Sequence, residues 1–135
     1  MSYSTMRYMA NKPSKESLID NMSMELRRGA LTLAVLSSLQ EPQYGYSLKQ
    51  SLEAQGLGIN EGTLYPLLRR LEKQGLLESS WEVVDEKRPR RYYQLSPTGA
   101  TILANLKNEW QLFVATMSSV LSGPEKSVEK WKQTN

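Results

Sequence analysis

Lys87, Arg88, Arg90 and Arg91 place four cations in five consecutive positions, between two stretches rich in Trp, Val and Tyr. Ammonium and guanidinium groups at that density suit phosphate oxygens, which accept charge-assisted hydrogen bonds. A second set of chemistry-bearing residues lies just upstream. Leu64, Leu67, Leu68 and Leu71 fall at i, i+3, i+4 and i+7, one apolar helical stripe. The opposite face of that helix carries Gly62, Pro66, Arg69 and Lys73, flanked by Thr63, Tyr65 and Arg70. Such a flat, weakly hydrated surface can approach base edges and thymine methyls, with Arg69 and Lys73 reaching guanine or phosphate. Taken alone, the cationic loop reads as a solvated turn; for the helix face an ordinary solvated surface is the competing reading. Their order, a helix followed at once by a hairpin with a cationic tip, favours contact with double-stranded DNA.

Other chemistry is scarce. The 135-residue chain has no histidine and no cysteine, which removes the usual general base, the nucleophilic thiol and most transition-metal sites. No paired carboxylates or glycine-rich phosphate loop stand out, and the Ser-Pro-Thr-Gly of residues 96–99 reads as a helix start. No catalytic constellation, metal site or cofactor is expected, and the chain is read as a non-enzyme. No apolar run approaches the ~20 residues of a membrane span, and no signal-peptide block opens the chain. The expectation is a soluble cytoplasmic protein. A net charge of +3 is only mildly basic, and residues 61–95 hold seven Lys/Arg against six Asp/Glu. The argument for DNA therefore rests on where the charges point.

The elements that must position these groups follow from periodicity and punctuation. Residues 1–22 are polar and mixed, and are read as a mobile arm that turns helical from about Ser14 onward. Residues 24–39 read as a helix that is apolar on most sides from Gly29 onward, which implies packing by its own domain on one face and by something else on another. Glu41-Pro42 ends it. Residues 46–55 form a short helix with Leu48 and Leu52 inward and Gly56 as its stop. The next helix takes Asn60 as N-cap and Gly75 as terminator. Pro66 loses no hydrogen bond if that helix begins at Thr63 and requires a local kink if the start is at Asn60. Residues 76–84 and 91–95 read as the strands of a hairpin.

Ser96 as N-cap and Pro97 at the first helical position open the last helix, which is expected to stop at Ser122-Gly123-Pro124. Gly99, Leu103, Leu106, Trp110, Phe113, Met117 and Val120 alternate spacings of four and three, an a/d seam three heptads long. Leaving its six large residues in water would forfeit on the order of 10 kcal/mol. A symmetric second copy is the simplest partner for that seam; folding back onto its own domain is the competing reading. The fold class is mainly α with a small β-hairpin: a winged helix-turn-helix plus a long C-terminal dimerisation helix. The boundaries are an arm at 1–22, a winged helix-turn-helix at 23–95, a dimerisation helix at 96–121 and a polar tail at 122–135.

The stretches LRRGALTLAVLSSL, YGYSLKQ, GTLYPLLRRLEKQGLL and RRYYQLSPTG together resemble the PadR family of bacterial transcriptional regulators, over roughly residues 24–121. The single C-terminal helix is similar to the compact branch of that family. The resemblance implies a homodimer in which the C-terminal helices cross and the first helix, here with Leu33, packs against the partner. It also implies binding to a palindromic operator, usually as a repressor. The residues on matching DNA-facing positions are Thr63, Leu64-Tyr65-Pro66 as a block, Arg69 and the wing cluster, with Thr63, Tyr65 and Arg69 implied in the major groove, and Ser47 and Lys49 placed to touch phosphates. Some compact members bind planar aromatic molecules between paired tryptophans of the dimer helix, and Trp110 falls at the corresponding place. A filled seam at Trp110 is the competing reading. The functional alternative is a protein-interaction module that uses the heptad helix and does not bind DNA.

Overall fold

The computed structural model describes residues 12–83 and 88–134, with side chains described as far as residue 123. Four helices and three strands occur among them: α1 Lys15–Ser38, β1 Gln43–Tyr44, α2 Gly45–Ala54, α3 Glu61–Lys73, β2 Leu77–Glu82, β3 Arg90–Leu95 and α4 Pro97–Thr134. The chain divides into two compact units, Met1–Thr32 and Leu33–Asn135. The first contains the N-terminal part of α1, where Ser14 Oγ accepts the Ser17 N–H at 3.1 Å and so starts the helix. Within this unit Leu18, Ile19, Met22, Met24 and Leu26 are exposed. Residues 15–22, where the arm is expected to turn helical, are helical.

The second unit is built around leucines. Val35, Leu36 and Leu39 at the end of α1, Leu48 and Leu52 of α2, and Leu64, Leu67, Leu68 and Leu71 of α3 are all buried. These positions follow the helical period of the sequence, so the apolar stripes close on one another and the polar faces are left outside. Both α2 and α3 stop by the same device. Gly56 and Gly75 take left-handed φ values of 89° and 82°. Leu57 N–H then reaches back to Leu52 O and Leu76 N–H to Leu71 O, at 2.8 and 2.9 Å. Gly56 and Gly75 N–H donate to Glu53 O and Glu72 O at 3.0 and 2.9 Å, which completes a Schellman motif at each end.

The strands form one antiparallel sheet in the order β1-β3-β2. Leu77 pairs with Leu95 and Glu82 with Arg90, so the hairpin runs outward to a tip between residues 82 and 90. β1, which pairs Gln43 with Tyr93 and Tyr44 with Tyr92, adds a strand over residues to which the sequence pattern assigns no element. Two residues are too few to show a period-two pattern.

The junction at Ser96 ties four elements together. Its backbone N–H donates to Leu76 O at 3.0 Å, while Leu95 N–H donates to Leu39 O at 3.1 Å. Its hydroxyl donates to Gly75 O at 2.6 Å and accepts the Gly99 N–H at 2.9 Å. Ser96 is thus both the N-cap of α4 and the clamp that fixes α4 against the end of α3.

Two expectations change. The last helix does not stop at Leu121; α4 is continuous to Thr134, through Ser122-Gly123-Pro124. Proline removes one backbone donor, and Ser122 Oγ, donating to Ser118 O at 2.8 Å, sits on the helix without diverting it. The heptad seam also divides. Gly99 and Leu103 are buried in the chain's own core, Leu103 at 3 % exposure, so Leu103 is not available to a second copy. From Leu106 onward the stripe is half-buried or open, with Trp110, Phe113 and Val120 exposed. Identical spacing does not say which body covers which part of a seam. Among the described residues, no helix is long and apolar enough to cross a membrane.

Candidate nucleic-acid interface

α3 begins at Glu61 because Asn60 caps it: Asn60 Oδ1 accepts the Thr63 N–H at 2.9 Å. Pro66 is therefore the sixth residue of the helix, inside it. Lacking an N–H, it cannot donate to Gly62 O, and the missing bond falls on the open side of the helix. With four leucines buried beneath it, α3 leaves Gly62, Pro66, Arg69, Arg70 and Lys73 exposed and Thr63 and Tyr65 half-buried. The face expected to meet bases is thus open to a partner along its length.

The hairpin stands beside this helix and is braced on both surfaces. On the surface facing α3, Arg91 Nη2 meets Glu72 Oε2 at 3.1 Å and Arg91 Nε donates to Ser79 Oγ at 2.9 Å. Ser79 Oγ in turn donates to the other oxygen of Glu72. The Arg91 guanidinium also lies 5.3 Å from the ring centroid of Trp81, its cross-strand partner. On the opposite surface, Tyr44 Oη donates to Glu82 Oε2 at 3.0 Å and Tyr92 Oη donates to Pro42 O at 3.2 Å. The Glu82 hydrogen bond is the main reason the Tyr44 phenol titrates above its ordinary value, since deprotonation would set two anions together. Burial does the same for Tyr93, against the opposing charge of Arg91. Both phenols therefore stay protonated through neutral pH.

These contacts sort the cations predicted to meet DNA. Arg69, Lys73, Arg88 and Arg90 are exposed. Arg91 is not a tip residue: its charge is committed to Glu72 and Ser79, and it joins the hairpin to α3. A basic run in sequence cannot reveal a carboxylate that the fold supplies from 19 residues away. Lys87 lies outside the described residues. On α2, Ser47 is half-buried and Lys49 makes a loose pair with Glu53, Nζ to Oε1 3.7 Å. Such a surface pair contributes roughly 0.3–0.5 kcal/mol and yields readily to a phosphate.

Between α2, α3 and β3 runs an open cleft of about 390 Å³, with Tyr65, Tyr46, Gly45 and Arg90 among its lining residues and Tyr93, 4 % exposed, also contributing. In the sequence Tyr65 and Arg90 stand apart, and nothing there gives Gly45 or Tyr46 a functional role. Trp81, which the sequence marks only as a strand residue, is 65 % exposed on the hairpin. The alternation of residues along β2 would have found it: Leu77 and Ser79 share its face and point toward α3. Among the described residues, no cluster of acidic side chains could hold a metal ion. The arrangement provides cations, hydroxyls and an exposed helix face, the groups that bind a polyanion and read base edges.

Comparison with known proteins places this fold among characterised relatives. Residues 33–105 match the transcriptional regulator PadR-like family. A transcriptional regulator of Mycobacterium tuberculosis, Rv3488, is 41% identical over 80 residues, covering 58% of this chain and 74% of that one. A crystal structure of a PadR family transcriptional regulator from Eggerthella lenta superposes with a TM-score of 0.71 at 42% identity, over 78% of this chain and 94% of that one. A PadR-like transcription factor from Bacteroides fragilis gives a TM-score of 0.64 at 34% identity, over 74% of this chain and 98% of its own.

Proposed function

This chain belongs to the PadR-like family of transcriptional regulators, and we propose that two copies, joined along α4, bind a palindromic operator and repress the adjacent promoter. Family membership makes it a DNA-binding regulator rather than an enzyme. The observation that carries the finer reading is α3 itself. Its four leucines are buried and seat the helix on the core, and its exposed Pro66, Arg69 and Lys73 stand on the open face. α3 enters the major groove, with Thr63, Tyr65 and Pro66 against bases and thymine methyls and Arg69 on guanine. Arg88 and Arg90 hold phosphates of the neighbouring groove, and Ser47 and Lys49 hold the strand on the other side. Two such heads on a two-fold axis meet half-sites about 34 Å apart, one helical turn.

The second copy is supported by the open part of the α4 stripe. Trp110, Phe113 and Val120 are 43 %, 56 % and 59 % exposed, with Leu106 one turn before Trp110 and Met117 between Phe113 and Val120, both half-buried. Leu33 of α1 is half-buried in the same unit and is assigned to this interface. Monomers seldom leave so large an apolar stripe in water.

The contrast between two arginines tests this reading. Arg69→Ala is expected to cost about 1–3 kcal/mol on the operator and to relax specificity at one base pair per half-site. Arg90→Ala should weaken operator and random duplex alike. Equal losses on both duplexes for Arg69→Ala, measured by fluorescence anisotropy, would refute its role in base reading.

Regulation by a planar aromatic effector is supported by Trp110, whose ring lies 6.4 Å from that of Phe113 and is partly open. In a dimer, a flat ligand between the two copies of Trp110 would favour one angle between the reading heads, and operator affinity would change by its preference for that state. Planar aromatic compounds should quench tryptophan fluorescence, and Trp110→Ala should abolish the quench. A quench that survives the substitution removes Trp110 from the effector site.

A further inference from the structure

We infer that Gly45 is a positioning residue for Tyr65: the side chain it lacks is the seat in which the Tyr65 ring rests between α2 and α3. The inference builds on the proposed role of Tyr65 in base reading. A Cβ on Gly45 would stand 2.8 Å from Tyr65 Cε1, and 3.7 Å from both Cδ1 and Cζ, pressed against the Cε1 edge of the ring at less than van der Waals contact. Nothing in the backbone demands glycine there. The glycines with left-handed φ are Gly56 and Gly75, and Gly45 opens a helix that alanine would favour. What excludes a side chain is the ring of Tyr65.

The obstructing atoms decide what a substitution does. They belong to a side chain that turns about two bonds, in an open cleft beside Arg90 and Tyr46. Alanine at position 45 therefore displaces the ring and leaves the fold standing. On α3, Tyr65 and Arg69 are neighbours at i, i+4, so a displaced ring also disturbs the ground beneath Arg69. The depth at which Tyr65 sits, and with it the contour offered to base edges, is set from α2 by an absent methyl group.

The test is a double-mutant cycle of Gly45→Ala and Tyr65→Ala, read as the ratio of affinities for a selected operator and a random duplex. Gly45→Ala should melt within about 2 °C of the parent and lose about tenfold of that ratio. The double variant should match Tyr65→Ala alone, because without the ring there is nothing to displace. Retention of the full ratio in Gly45→Ala, or additive losses in the double variant, overturns the inference. A second readout separates the seat from the DNA reading. With fluorotyrosine incorporated and the Tyr65 resonance assigned by Tyr65→Phe, Gly45→Ala should shift that resonance in the free protein. An unmoved resonance overturns the seat whatever the DNA result. A shifted resonance in a protein that does not discriminate operator from random duplex supports the seat and overturns the base-reading role of Tyr65.

Discussion

Raising salt from about 50 to about 200 mM is expected to weaken operator binding by roughly 10⁴-fold. The estimate follows from the cations that the fold leaves open. Lys73, Arg88 and Arg90 are exposed, and Lys49 is held only by a loose pair to Glu53. With Arg91 withdrawn into its pair with Glu72, that is about four phosphate contacts per chain, so a dimer neutralises about eight and log K falls with log salt at a slope near −7. The same accounting separates neighbouring residues of the basic run. Arg90→Ala should reduce the slope by about 2, one contact from each chain. Arg91→Ala should leave it unchanged, because that charge does not face the polyanion. A slope near zero for the parent protein, or equal slope changes for the two variants, would count against the assignment of contacts.

Gly99→Ala is expected to destabilise the protein by about 3 kcal/mol, lowering the melting temperature by about 10 °C in a thermal scan. A Cβ at this position would lie 2.1 Å from Leu76 O and 2.9 Å from Leu95 Cδ1. The first of these is a backbone atom and cannot turn aside. It is also the acceptor for Ser96 N–H, at 3.0 Å, and the Gly99 N–H is the donor to Ser96 Oγ. Making room for a methyl group therefore pulls at the cap of α4 and at the Schellman turn of α3 together. Gly29→Ala is the control. Among the described residues, and apart from its chain neighbours and the nearby backbone of its own helix, no atom lies within 4 Å of the position its Cβ would take on α1. That change should stabilise by roughly 0.5–1 kcal/mol through helix propensity. Should Gly99→Ala melt with the parent, the contact between α4 and the end of α3 is looser than described.

The two glycines of close approach show where sequence reasoning reaches and where it stops. Caps and terminators are local, so Asn60, Ser96, Gly56 and Gly75 could each be placed from neighbouring residues, and each stands where expected. The leucine stripe of α3 was equally legible, because a period of 3.6 repeats within one element. Gly45 and Gly99 were not, since what forbids their side chains, Tyr65 and Leu76 O, comes from elements further along or back in the chain. The same reason hid the capture of Arg91 by Glu72 and the burial of Leu103. Proline and glycine at 123–124 read as a stop, yet α4 runs through them. A helix tolerates one missing bond when its remaining ladder continues.

The proposal rests on two chains acting as one reader of symmetric DNA. Selection from random duplexes, followed by sedimentation of the protein with the recovered fragment, measures this in one experiment. The expected result is an inverted repeat with half-sites about one helical turn apart, bound by twice the 15.4 kDa chain mass. Recovery of no common sequence, or of an asymmetric site carrying a single chain, would contradict it.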